Sequence, residues 1–136
     1  MRKGVISDIN VKDREQRFPV YIIAMASAVL LLLTMHFLSA PKALVSLLIS
    51  FFVVGIFSYF VNKKIKISIH TASIAGAAVA LFVVVGATTG FVGLISTVIT
   101  MWARVKIKAH TPQEVAMGFL AGILITLAVF RLCSPL

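Results

Sequence analysis

The chain has 136 residues, of which 60% are hydrophobic, with 13 Lys and Arg against 4 Asp and Glu. Its mean hydropathy is +1.08. Soluble domains are nearer half apolar, so this composition excludes an ordinary soluble domain and predicts an integral membrane protein. The net charge of +9 does not indicate nucleic acid, because the cations are divided among three short interfacial segments. A charge of this kind is more typical of membrane topology or of contact with lipid head groups.

The apolar runs predict an all-α fold, a single membrane domain over residues 1–136 built as a polytopic bundle of about five transmembrane helices. Residues 1–17 are polar and of mixed charge, which indicates an interfacial N-terminal segment. The spans are expected at about residues 18–38, 43–61, 68–89, 90–104 and 112–131. The fourth run is too short to cross a bilayer unless Arg104 snorkels to the interface. The third run is rich in Ala and Gly, which favours a central position because small side chains let helix backbones approach closely. Gly118 and Gly122, four residues apart in the fifth run, predict a small-residue packing edge on that helix.

Five spans would place residues 1–17, 62–70 and 104–114 on one side of the membrane. Of the 13 Lys and Arg, 11 fall on that side, and only Lys42 and Arg131 fall on the other. The positive-inside rule then predicts a cytoplasmic location for this face, in an inner or plasma membrane. Cations gathered to bind an anion would bias the count in the same direction.

The most unusual polar stretch is residues 104–114, which places three cations, a histidine and a carboxylate between two apolar runs. His70 opens the third span at the same predicted face. Helix N-termini and Lys or Arg side chains bind phosphate oxygens. One imidazole can attack phosphorus while another protonates the leaving oxygen. The stretch therefore predicts a site for a phosphate ester.

The spacing of Arg104, His110 and Glu114 resembles the third motif of the type 2 phosphatidic acid phosphatase superfamily, Ser-Arg-x5-His-x3-Asp. Residues 67–70, Ile-Ser-Ile-His, resemble its second motif, Pro-Ser-Gly-His. Residues 14–19, Arg-Glu-Gln-Arg-Phe-Pro, resemble the end of its first motif, Lys-x6-Arg-Pro. The resemblance implies an integral membrane phosphatase that hydrolyses a lipid phosphate or diphosphate, isoprenoid lipids included, without a metal or other cofactor.

The same resemblance implies catalytic roles for three residues. His110 would be the nucleophile that becomes a phosphohistidine, Glu114 would orient and charge-stabilise it, and His70 would be the general acid. Residues that would hold the phosphate oxygens are Arg104, Arg17 and Ser68, with Lys12 or Lys66 in place of the first-motif lysine.

Four positions differ from the family motifs. Asn10 stands where the first motif has Lys, Ile69 replaces Gly, Ala103 replaces Ser, and Glu114 replaces Asp. The differences in the first and second motifs motivate an alternative function, that of a non-catalytic, lipid-binding membrane subunit with the same fold.

Other interpretations of the same residues remain open. Thr111 and Glu114 have the spacing of a helix capping box, which would give Glu114 a structural role. Lys106 and Lys108 could be interfacial anchors. Haem ligation by His70 and His110 is a third hypothesis, which predicts a Soret band in the purified protein.

Overall fold

The computed structural model describes residues 17–133, and this part of the chain consists of helices joined by short loops. The five helices are α1 (Arg17–Phe37), α2 (Lys42–Val61), α3 (Ile69–Val84), α4 (Ala87–Lys106) and α5 (Pro112–Cys133). The predicted all-α bundle is confirmed. The predicted interfacial segment lies outside the described residues, apart from the backbone of Arg17 at the start of α1.

Four of the helices, α1, α2, α4 and α5, are long enough and apolar enough to cross a membrane. The remaining helix, α3, has 16 residues. At 1.5 Å per residue it is about 24 Å long, which is shorter than a hydrocarbon core of about 30 Å. Large aliphatic side chains are exposed along the outside of the bundle, including Leu30, Leu33 and Ile95. Such a surface is suited to lipid, so the chain forms a helical membrane bundle.

The boundary between α3 and α4 differs from the sequence prediction, which made the third span long and the fourth too short. The chain breaks instead at Gly86, whose φ of +132° is open to glycine but strained for other residues. The Leu81 carbonyl accepts hydrogen bonds from the amides of Val85 and Gly86 and so ends α3. The Thr89 hydroxyl donates to the Gly86 carbonyl at 2.9 Å in the first turn of α4. As a result α4 has 20 residues, enough to cross the bilayer without a snorkelling arginine.

The small-residue helix α3 lies at the centre of the bundle, as predicted, and contacts α2, α4 and α5. Its backbone approaches α5 so closely that a Cβ on Gly118 would overlap the Ser68 carbonyl oxygen. A Cβ on Gly122 would overlap the Ala72 carbonyl oxygen in the same way. The predicted small-residue packing edge of α5 is therefore confirmed. Among the described elements, α1 is peripheral and packs against α2 alone.

The helix ends that adjoin the polar segments 62–70 and 104–114 are gathered at one face of the bundle, which we call the polar face. The Phe18 and Tyr59 rings meet edge to face with centroids 5.3 Å apart, so α1 begins beside the end of α2. The Ser68 amide donates to the Glu114 carbonyl at 3.3 Å, so α3 begins beside the start of α5. Within residues 17–133, the predicted meeting of segments 62–70 and 104–114 is confirmed.

Candidate functional site

The start of α5 is fixed by a reciprocal pair of hydrogen bonds. The Glu114 amide donates to the Thr111 hydroxyl at 3.3 Å. The Thr111 amide donates to Glu114 Oε2 at 3.2 Å. This is the capping box that the sequence predicted, so Glu114 has a structural role at this helix end.

The same carboxylate oxygen also holds His110. His110 Nδ1 lies 2.9 Å from Glu114 Oε2, and the two side chains are only 2% and 17% exposed. Because a carboxylate can only accept hydrogen bonds, Nδ1 donates to Glu114, so in the neutral form of the ring the nitrogen that lacks a proton is Nε2. Glu114 thereby sets the tautomer of His110 as well as capping α5, and Nε2 is the ring atom equipped to attack an electrophile or accept a proton.

The loop that carries His110 turns sharply after α4. The Arg104 carbonyl accepts from the amides of Ala109 and His110 at 3.1 and 3.2 Å. Lys108 has a φ of +54°, a left-handed conformation that only a few per cent of non-glycine residues adopt. Two main-chain hydrogen bonds and one unusual backbone angle therefore fix the position of the buried imidazole.

Lys66 braces this loop from the other polar segment. Its Nζ donates to the Ala109 carbonyl at 2.7 Å, in a partly buried position. The sequence predicted Lys66 as a phosphate ligand, and the structure adds a contact with the residue that directly precedes His110. Sequence reasoning missed this contact because its acceptor is a main-chain carbonyl 43 residues away along the chain.

A cavity of about 350 Å³ opens beside His110. It is lined by Lys66, Val105, Lys108, Ala109, His110, Thr111, Pro112 and Glu114. The ammonium groups of Lys66 and Lys108 outnumber the single carboxylate of Glu114 in this lining. The first turn of α5 adds the partial positive charge of a helix N-terminus, so the cavity has a net positive character. A cavity of this volume and charge can admit a phosphate group.

The structure places the other predicted site residues at the same end of the bundle but outside the lining of this cavity. Ser68 is fully buried, and its hydroxyl caps α3 by accepting from the Thr71 amide at 3.4 Å. His70 is exposed in the first turn of α3, and Arg104 is half-buried in the last turn of α4.

Two predicted phosphate ligands cannot be placed in this way. Lys12 and the side chain of Arg17 lie outside the described residues. Within residues 17–133, no group of three or more His, Cys, Asp or Glu side chains could hold a metal ion.

Comparison of the chain with family models, with curated proteins and with solved structures gives no match. The functional proposal therefore rests on the geometry around His110 and on the motif resemblance.

Proposed function

We propose that this chain is a membrane-embedded phosphatase that hydrolyses a lipid phosphate or diphosphate, isoprenoid lipids included. The reaction proceeds through a phosphohistidine on His110. The observation that carries this proposal is the 2.9 Å contact between His110 Nδ1 and Glu114 Oε2, beside a cavity lined by Lys66 and Lys108. That contact keeps the ring proton on Nδ1, so Nε2 is the nitrogen that would attack, and it places a negative charge where the ring becomes positive.

In the first step, the Nε2 lone pair of His110 forms a bond to phosphorus as the bond from phosphorus to the leaving oxygen breaks. His70, which is accessible at the same membrane face, donates a proton to that oxygen. In the second step, water attacks the phosphorus and gives up a proton to His70. The N–P bond breaks, inorganic phosphate leaves, and both histidines return to their starting states.

The polar face of the bundle suits a substrate that stays in the bilayer. Lys66, Lys108 and the first turn of α5 would hold phosphate oxygens at head-group level, with Arg104 and Arg17 as further ligands. The hydrocarbon tail would remain among lipid chains, so the enzyme need not extract its substrate. By the distribution of Lys and Arg, this face is cytoplasmic in an inner or plasma membrane.

The test is phosphate release by the purified protein over a panel of phosphatidate and polyprenyl mono- and diphosphates, with a chelator present throughout. Removal of a catalytic nucleophile costs at least about 1,000-fold in well-studied hydrolases, and His110→Ala should lose turnover to that extent. His70→Gln should also slow the reaction. His36→Ala, which removes an exposed histidine near the far end of α1, is the matched control and should leave it unchanged. Wild-type turnover by His110→Ala would overturn the proposal.

A non-catalytic, lipid-binding subunit is the alternative, and two observations favour it. Ile69 stands where the resembled motif has glycine, and His70 lies outside the cavity beside His110. This alternative predicts that the protein retains phosphorylated lipid during purification yet releases no phosphate from any member of the panel.

A further inference from the structure

A groove separates α1 from α3. Among the described residues, both helices pack against α2 but not against each other. The space between them is a cavity of about 190 Å³ whose lining includes Met25 of α1, Gly55 of α2 and Ser73 of α3. Helices α1 and α3 thus form the two walls of the groove, and α2 forms its floor.

The groove starts at the polar face and runs into the apolar layer. Ile69, in the first turn of α3, lines it at the polar end. On α1 the lining extends from Tyr21 to Ala28, a rise of about 10 Å at 1.5 Å per residue. The groove therefore runs in the direction of the lipid chains of a bilayer.

The lining of the groove is almost entirely hydrocarbon, with Ser73 and Tyr21 as its polar members. Water would find few hydrogen-bond partners there, and an empty groove would lose dispersion contacts along its walls. The neighbouring medium at this depth is lipid. The occupant that matches the surface is therefore an acyl chain of the surrounding bilayer.

The ammonium group of Lys63 lies near the polar end of the groove, one aromatic ring beyond its lining. The Tyr21 ring contacts the Tyr59 ring with centroids 6.3 Å apart, and Lys63 Nζ lies 5.3 Å from the centroid of Tyr59. The single acid among residues 17–133 is Glu114, which is engaged by His110 and Thr111. Cations beside a groove between transmembrane helices favour anionic head groups.

We propose that the groove between α1 and α3 binds an anionic phospholipid, with one acyl chain between the helices and its head group beside Lys63. This lipid is a bound component of the bundle, separate from any substrate at His110. The site does not depend on the protein's being a phosphatase.

The experiment uses the full chain purified from nanodiscs that contain phosphatidylglycerol and phosphatidylcholine, with retained lipid counted by native mass spectrometry. The wild type should retain one phosphatidylglycerol per chain in preference to phosphatidylcholine. Ser73→Phe fills the groove, and Ser96→Phe, at an exposed position on α4, is its matched control. Gly55→Leu fills the groove from its floor instead of from the α3 wall. A Cβ at Gly55 would meet one atom within 4 Å, Met25 Cγ at 3.7 Å.

Each groove-filling variant should reduce retention by at least about tenfold, since each methylene displaced from an apolar site weakens binding several-fold. Lys63→Gln should abolish the preference for phosphatidylglycerol while a lipid chain is still retained. Lys64→Gln, the exposed neighbouring lysine, should keep the preference. Circular dichroism and size-exclusion profiles establish that each variant is folded. Wild-type retention by both folded groove-filling variants, or an unchanged preference in Lys63→Gln, would overturn the proposal.

Discussion

The capping role of Glu114 and its proposed catalytic role can be separated by one substitution, Glu114→Gln. Glutamine is accepted at the third position of a capping box, so its amide oxygen can still receive the Thr111 amide. The variant removes the negative charge that faces His110 Nδ1 at 2.9 Å. Glu114→Ala removes the cap and the charge together.

The expected magnitudes differ between stability and turnover. Loss of an acidic charge at a helix N-terminus costs about 0.3–1 kcal/mol, so Glu114→Gln should unfold at nearly the wild-type temperature. A hydrogen bond to a charged group contributes about 1.5–3 kcal/mol. If that contribution is made to the transition state, turnover should fall roughly 10- to 150-fold, at 1.36 kcal/mol per factor of ten. Glu114→Ala should show a similar loss of turnover and about 1 kcal/mol less stability than Glu114→Gln, from the lost cap.

The assay is phosphate release under chelation, with thermal unfolding measured on the same samples in detergent. The informative comparison is the ratio of turnover between the Gln and Ala variants after their stabilities are known. Full turnover in a folded Glu114→Gln protein would refute a charge-stabilising role and leave Glu114 as a helix cap only.

Three further predictions concern the packing of α5, the bracing of the His110 loop and the membrane topology. Gly118→Ala should destabilise the bundle by about 1–3 kcal/mol, because its new Cβ would meet the backbone of Ser68, the N-cap of α3. Gly55→Ala should be nearly neutral in the same thermal unfolding assay. Equal losses of stability in the two variants would contradict close packing at Gly118. Lys66→Met should lower turnover and speed amide exchange in the His110 loop by at least about tenfold, because one charged hydrogen bond contributes about 1.5–3 kcal/mol. Lys64→Met should change neither. An unaltered exchange rate in Lys66→Met would contradict the bracing role of Lys66. In oriented vesicles, an impermeant thiol reagent should label the native Cys133 from one side of the membrane and the thiol of Lys64→Cys from the other. The side that labels Lys64→Cys should be the cytoplasmic one. Labelling of both positions from one side would contradict the five-span topology.

Local sequence signals predicted much of the fold correctly. The small side chains of α3 and the glycine pair of α5 predicted a close helix contact, and a Cβ at either glycine would overlap the α3 backbone. The Thr111 and Glu114 spacing predicted a cap that the hydrogen bonds confirm. Both signals depend on residues that are near one another in sequence, where geometry follows from helix periodicity.

The errors arose where conformation or distant contacts decide the outcome. The end of α3 is set by the backbone angle at Gly86, in a stretch of small and apolar residues with no change of polarity to mark it. The contact between Lys66 and the Ala109 carbonyl leaves no side-chain signature at its acceptor. The rotation of α3 exposes His70, although the chain path brings its helix end beside Glu114, and sequence spacing alone does not fix that rotation.

If His110 is the nucleophile, it carries the transferred phosphate during turnover, and that phosphate can be detected directly. The protein would be mixed with its preferred lipid phosphate, quenched in alkali to preserve phosphohistidine, and analysed by peptide mass spectrometry. We expect an acid-labile phosphate on His110 that appears within the first turnover and is missing from His110→Ala. Turnover by the wild type with no phosphate on His110, or with phosphate on a different residue, would contradict it.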